Sequence, residues 1–504
     1  MLWSGVAESV SALAMHVDST AIPWKRIVTA LLWAVYAFDT YVSLRQYRMY
    51  DLRTPPSALA PHVPFDAFRK SQAYGRDKMR FQLVSDAISQ VVSALVVHYN
   101  LYAWAWGLAG ALLARLGVAE GEIVHSLAWM VVMTALRTPL SLALSGYRNF
   151  VIEERHGFNK LTPTTFVTDT LKEWALGILV LLPLTAAMLA LIRWAGDAFV
   201  VYTVAFFAAA VLLGSVIYPT LIQPLFNKLT PLPEGALRDR VVALAGALRF
   251  PLKHLYVIDG SRRSSHSNAY FYGVVPGGSK HIVIYDTLID KSTPEEIEAV
   301  LAHELGHWSY SHPTKLLFVS LAHMFFTLAL FTFFIKNGSL YAAFGFRTAR
   351  QPGWPQWNVV TAPYLPVLVG LDLYQLVLNP TDTIVQFAVN AALRHMEYSA
   401  DRFAGTLARP PRTPAEKEAL ALAQRGVHTA GDATVRSWLE RADLSGEPME
   451  PYTALLNRAL VKLHVQNLSS MHHDPLYSAM HYSHPTLNER LVALARIATG
   501  RKAE

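Results

Sequence analysis

Hydrophobic and polar positions fall in long blocks along this chain. Seven stretches, at 26–44, 81–113, 123–144, 174–194, 198–218, 316–335 and 362–389, are predominantly apolar. Each covers the roughly 20 residues a helix needs to cross about 30 Å of hydrocarbon. The second and the last are interrupted by polar residues. The pattern predicts an all-α-dominated polytopic membrane protein, and the number of such stretches argues against buried helices of a soluble one. The first 22 residues lack a basic start and an unbroken apolar core, so no cleavable signal peptide is expected.

Two polar blocks interrupt this pattern, which divides the chain into four parts. Residues 1–220 hold the first five helices and their loops, 221–315 a polar segment, 316–390 helices six and seven, and 391–504 a polar C-terminal segment. Within 221–315, HIVIYD at 281–286 is a short β-rich run after the Gly-rich turn Pro276-Gly277-Gly278. A helix start follows at Thr293-Pro294-Glu295-Glu296, where an N-cap Thr, a Pro at the first helical position and a Glu form a capping box. That helix is expected to end before Pro313. The stretch 409–450 is rich in Pro, Glu, Arg and Gly and reads as an inserted, partly helical surface excursion.

Composition supports the membrane reading. Of 504 residues 52% are hydrophobic and only 16% charged, against about 25% charged in an ordinary soluble domain. The net charge of +7 reflects basic loops rather than nucleic-acid binding. Arg45, Arg48, Arg53, Arg69, Lys70, Arg76, Lys78 and Arg80 cluster between the first two spans, so this connection is expected to face the cytosol. Alternation then puts 117–122 and 195–197 outside, and both polar blocks inside. Arg347 and Arg350, in the sixth-to-seventh connection, run mildly against that rule. There is no cysteine, which removes disulfides, thiolate metal sites and cysteine nucleophiles. Any metal must sit on His, Asp or Glu.

The predicted helix carries His303-Glu304-Leu305-Gly306-His307, an H-E-x-x-H. Residues i and i+4 share a helix face, so both imidazoles can reach one zinc ion, with Glu304 beside it as general base. A catalytic zinc site needs a third protein ligand. The metzincin pattern would require Gly and His where Tyr310 and Pro313 stand. A downstream carboxylate is the alternative: Glu397 and Asp401 lie at i and i+4, so Glu397 could bind the ion and Asp401 orient a ligand imidazole, though such a pair can equally be a solvated helix face. Glu295, Glu296, Glu298, Ser309 and Ser311 flank the motif and suggest a site at the cytosolic rim rather than at mid-membrane.

These residues resemble the type I CaaX prenyl endopeptidases, multispanning zinc metalloproteases that process isoprenylated proteins. The resemblance rests on WKRIVTALLWAVYAFDTYVSLRQ, IEERHGFNKLT, PLFNKLTPLPEG, RSSHSNAYFYG, LAHELGHWSYSH, MEYSADRFA and DPLYSAMHYSHPTLNERL, in that order along most of the chain. It implies a barrel of about seven helices around a large chamber, joined to a gluzincin-like zinc domain with a small β element. It also implies one Zn2+ on His303, His307 and Glu397, with Glu304 catalytic. Asn268 matches a residue that contacts the peptide backbone, and His484 and Arg490 match a polar pair near the metal that serves the oxyanion or the peptide. His484 could instead cap structure beside Pro485, and Arg490 could pair with Glu489 or Asp401. The implied activity is removal of the aaX tripeptide from isoprenylated CaaX proteins at the endoplasmic reticulum membrane. Two other readings are a membrane quality-control metalloprotease and a catalytically silent scaffold or lipid transporter, which the intact Glu304 disfavours. The turn at 274–280 and the stretch 409–450 depart from the family pattern.

Overall fold

A computed structural model describes residues 16–119, 121–273, 278, 280–347, 360–361, 364–407 and 452–499. The expected insertion at 409–450 and most of the 274–280 turn lie outside these residues. Among the described residues, five helical runs are long and apolar enough to cross a membrane: Trp24–Met49, Phe65–His98, Glu122–Glu153, Pro163–Phe226 and His312–Phe331. We number the main helices α1 (Trp24–Met49), α2 (Phe65–His98), α3 (Leu101–Arg115), α4 (Glu122–Tyr147), α5 (Pro163–Leu176), α6 (Leu182–Ala195) and α7 (Phe199–Ile217).

Six of the seven predicted spans fall wholly or partly on these runs, with changes of boundary, and the seventh, at 362–389, is not among them. The stretch at 81–113 is split where Asn100 takes a left-handed conformation (φ 53°), ending α2 and starting α3. α2 also begins 16 residues earlier than the apolar block, because its charged first half is helical outside any apolar stretch. The spans predicted at 174–194 and 198–218 lie inside the single run Pro163–Phe226. That run folds back at Gly196, whose φ of 55° a side chain would strain.

The second half of the molecule contains α8 (Ala236–Ala247), α9 (Pro294–Ser309), α10 (His312–Phe331), α11 (Val367–Thr406), α12 (Tyr452–Gln466), α13 (Pro475–His481) and α14 (Leu487–Ala498). α11 has 40 residues, about 60 Å of helix. Its first half covers the predicted seventh span, but Asp372, Asn379 and Asp382 interrupt the apolar run. Its second half continues into the C-terminal segment, so one helix runs through both parts of the protein.

Strands β1 (Leu229–Pro231), β2 (Leu252–Ile258), β3 (Ala269–Tyr272) and β4 (Lys280–Tyr285) form one sheet in the order β1-β2-β4-β3. β2 and β4 are parallel, and the other pairs antiparallel. Alternation sends Leu255, Ile282 and Ile284 to one face, where they pack with Ile297, Leu301 and Leu305 of α9, Leu455 and Leu456 of α12 and Leu487 and Leu494 of α14. α9 is therefore the centre of a hydrophobic core, covered by the sheet on one side and by α12 and α14 on another.

Connections gather at two ends. At one, Arg45 bonds Asp474 at 3.0 Å, the Gln46 amide donates to His472 O at 3.0 Å, and Arg263 pairs with Asp169 at 2.9 Å. The basic first connection thus shares an end with the sheet and the C-terminal segment. At the other end, Trp24 donates to Ser339 Oγ at 2.9 Å and the Val367 N–H donates to Glu122 at 3.0 Å.

The acidic flank of the H-E-x-x-H helix is less solvated than its sequence suggests. Glu296 and Glu298 are buried. Glu296 accepts from Lys462 at 2.9 Å, and Glu298 accepts from Arg240 at 3.1 Å and from the Tyr452 hydroxyl at 2.7 Å. Tyr452→Phe removes that donor from a buried carboxylate, and a charged hydrogen bond of this kind contributes about 1.5–3 kcal/mol. We expect a lowered thermal midpoint in detergent with little change in the metal content of the folded fraction.

Candidate metal centre and active site

α9 starts where its caps require. The Thr293 hydroxyl accepts from the Glu296 N–H, and the Glu296 carboxylate accepts from the Thr293 N–H at 2.9 Å. His303, Glu304 and His307 then occupy one turn. The helix closes at Ser309, and Ser311 reverses the chain in a left-handed conformation (φ 55°), so that His312 opens α10 facing back toward His307. His307 Nδ1 and His312 Nδ1 are 2.9 Å apart and share a hydrogen bond.

α11 approaches α9 at Gly306. A Cβ built there would lie 3.1 Å from Ala400 Cα and 3.1 Å from the Phe403 ring, so glycine sets the spacing of the two helices. At that spacing Glu397 and Asp401, one turn apart, meet the histidines. Asp401, fully buried, lies 2.9 Å from His303 Nδ1. A carboxylate only accepts, so His303 carries its proton on Nδ1 and turns the Nε2 lone pair inward. His303 Nε2 lies 3.4 Å and His307 Nε2 3.2 Å from the Glu397 carboxylate, and the two Nε2 atoms are 3.2 Å apart.

Ligand atoms of His303, His307 and Glu397 all lie within 4.8 Å of one another. Glu397 Oε2 is buried without a hydrogen-bond partner, an atom left over for something other than protein. Two imidazole nitrogens and one carboxylate with no thiolate form a donor set that zinc accepts. The residues fit a metal ion.

The electrostatics follow from burial. Burial pushes the Glu397 carboxyl up, but His303, His307 and His484 gathered around it outweigh that and hold the group well below the usual carboxylate range. Asp401 is likewise raised by burial and lowered more by Arg490 and His303, so it stays ionised. Burial pushes the Glu304 carboxyl up, with the two histidines opposing. Arg490 is buried and grips Asp401 with two hydrogen bonds, of 2.9 and 2.6 Å, its Nη1 lying 3.8 Å from Glu397. The pairing with Asp401 is present, and with Glu489 it is not, while Arg490 also stands beside the metal cluster, its Nη2 3.4 Å from His303 Nδ1. His484 Nδ1 lies 3.0 Å from Glu397, and its side chain is 66% exposed.

Asn268 does not join this cluster. It sits at the entry to β3, exposed, and its side-chain oxygen accepts from the Ala269 N–H at 2.9 Å. Among the described residues the outer edge of β3 carries no strand. Beside the cluster a cavity of about 620 Å³ is lined by Glu304, His307, Trp308, Tyr270, Tyr272 and Lys280. Sequence reasoning did not find the contribution of Gly306 to helix spacing; a glycine inside a helix that otherwise needs none was the available signal.

Comparison with known proteins fits this geometry. Residues 231–498 match the model of peptidase family M48. The chain belongs to that family. Residues 46–228 match the CAAX prenyl protease N-terminal model with its five membrane helices. A CAAX prenyl protease 1 homolog of Arabidopsis thaliana is 37% identical over 476 residues, covering 94% of this chain and 98% of that protein. The CAAX prenyl protease 1 of Saccharomyces cerevisiae is 34% identical, covering 96% and 98%. A crystal structure of S. mikatae Ste24p matches with a TM-score of 0.80 and 34% identity, over 94% of this chain and 99% of that one. This member of family M48 is a multispanning membrane metalloprotease.

Asp401→Asn keeps the shape of the side chain but weakens its hold on His303. Metal content titrated against a competing chelator should show affinity lowered by about 10–100-fold, with secondary structure unchanged.

Proposed function

We propose that this protein is a zinc endopeptidase that removes the aaX tripeptide from isoprenylated CaaX proteins. The observation that carries the reading is the similarity over more than 90% of the chain to relatives named CAAX prenyl protease 1, with a His-His-Glu cluster at the matched motif. His303, His307 and Glu397 would hold one Zn2+. When bound, zinc supplies a Lewis acid for the scissile carbonyl and lowers the pKa of a water to about 7.

The chain's own residues do the rest. Glu304 takes a proton from the attacking water and returns it to the leaving amine, and its burial beside the cavity keeps that carboxyl basic enough for the exchange. His484, exposed beside Glu397, donates to the developing oxyanion. Arg490 acts through Asp401 to keep His303 oriented. The peptide adds as a strand to the outer edge of β3, with Asn268 binding its backbone.

A membrane setting suits the substrate. A farnesyl group has about fifteen carbons, and at about 0.8 kcal/mol per buried CH2-sized unit its transfer to water costs on the order of 10 kcal/mol. A barrel of about seven helices around a chamber would let the lipid stay out of water while the peptide reaches the zinc. The four-part division of the chain (1–220, 221–315, 316–390, 391–504) assigns the second and fourth parts to the catalytic unit. We place the enzyme in the endoplasmic reticulum membrane on the family resemblance, and the contact of the basic first connection with the C-terminal segment supports a catalytic unit facing the cytosol.

Glu304→Gln should retain its metal and lose about 10²–10⁴-fold in turnover of a farnesylated CaaX peptide. Mass spectrometry of the released tripeptide reads the rate, and metal analysis of the same sample reads the occupancy. Equal cleavage of prenylated and unprenylated peptides would replace this reading with the quality-control one.

A further inference from the structure

His484 is the least enclosed group at the metal cluster. Its side chain is 66% exposed, yet its Nδ1 lies 3.0 Å from Glu397. An imidazole with so little packing around it takes its direction from the backbone that carries it, so what holds that backbone matters.

On the C-terminal side the chain is pinned at once. Thr486 opens α14 with a capping box: its N–H donates to the Glu489 carboxylate at 2.7 Å and its hydroxyl accepts from the Glu489 N–H at 3.3 Å. On the N-terminal side stands α13, seven residues long, far below the length that is stable in isolation. Its first turn is capped by Asp474, which accepts from the Leu476 and Tyr477 N–H groups and pairs with Arg45 of α1 at 3.0 Å.

Its last turn is held by α11. Asn390 Nδ2 donates to Met480 O at 2.6 Å, and Arg394 Nη1 donates to Ala479 O at 3.1 Å and to Tyr482 O at 2.7 Å. The end of a helix leaves such carbonyls without partners, and a cation there also meets the negative end of the helix dipole. Asn390, Arg394 and Glu397 lie three or four residues apart and share one face of α11. Met480, Tyr482 and His484 meet them in the same order. The chain leaving α13 thus runs along α11 through three contacts. His484 makes the last of them, two residues beyond the carbonyl that Arg394 grips.

We propose that Arg394 is a positioning residue for His484, fixing the end of α13 so that this imidazole stands beside the metal cluster. The proposal rests on the reading of His484 as donor to the developing oxyanion, and not on the prenyl group of the substrate. Asn390 serves the same segment one turn earlier.

A double-mutant cycle in the full-length, zinc-loaded enzyme tests it on a farnesylated CaaX peptide. Arg394→Met should lower kcat about 10–100-fold with KM and zinc content little changed. Arg394→Lys, which keeps a donor, should recover part of the loss. In a His484→Ala background Arg394→Met should cost about twofold at most, because the imidazole it places is already gone. Equal losses in the two backgrounds, or a loss that follows zinc content, overturn the proposal and leave Arg394 a tie of the fold alone. Should Arg394→Met fail to fold, Asn390→Ala carries the same cycle. Hydrogen exchange reads the clamp without substrate: the Tyr482 N–H, bonded to Ser478 O at 3.1 Å, should exchange about tenfold faster in Arg394→Met while the α14 amides stay as they were. Unchanged protection there also overturns it. Failure of the underlying readings looks different. Full turnover in His484→Ala removes the oxyanion role and the proposal with it, whereas equal cleavage of prenylated and unprenylated peptides removes the CaaX reading and leaves the cycle to be read on either peptide.

Discussion

The contact between α9 and α11 at Gly306 is the constraint on which the rest of the site depends. Helix axes pack at distances set by the side chains between them, and here one partner offers no side chain. Ala400 is the opposing residue, also small, and a Cβ at 306 would lie 3.1 Å from its Cα. That proximity carries Glu397, one turn before Ala400, to within 3.4 Å of both histidines, and brings Asp401 behind His303. Neither helix could build the cluster alone. The core of Leu301, Leu305, Leu456 and Leu487 around them keeps the pair from sliding.

Charge explains why this arrangement needs a cation. Glu304, Glu397 and Asp401 bring three carboxylates into a buried volume, and Arg490 supplies one permanent positive charge there. Burying unpaired charge is costly, and a divalent ion restores the balance. The orphaned Glu397 Oε2 marks the same deficit at the level of a single atom. The buried ladder from Arg490 through Asp401 to His303 holds a proton on Nδ1 and points Nε2 toward Glu397 and His307.

The catalytic unit and the apolar helices are one body because elements are shared between them. α11 begins among apolar helices and ends as the support of the metal cluster. α10 follows α9 after a single reversed turn, with His312 at the junction. Arg45 and Gln46 at the end of α1 hold the loop before α13. A substrate with a lipid at one residue and a peptide beyond it meets both environments within one continuous framework.

How much of this was legible from the sequence differs from element to element. Apolar block length marked the membrane helices, because spanning hydrocarbon sets a minimum run that few other structures share. It also missed the split at Asn100 and the charged start of α2, since backbone geometry at single residues leaves no trace in hydropathy. The capping box at Thr293 and the H-E-x-x-H located the helix, its start and its chemistry, because those depend on neighbours three and four residues away. Glu397, Asp401 and Arg490 lie 90 or more residues downstream of His303. Their partnership depends on helix spacing and the handedness of packing, which local sequence does not encode. Likewise the burial of Glu296 and Glu298, and the meeting of Asn390 and Arg394 with the end of α13, exist only once distant segments are brought together. The sequence alone determined the membrane class, the metal-binding motif and its helix. Tertiary packing alone decided which carboxylate meets the histidines, because that choice is made by distances between helices rather than by positions along one.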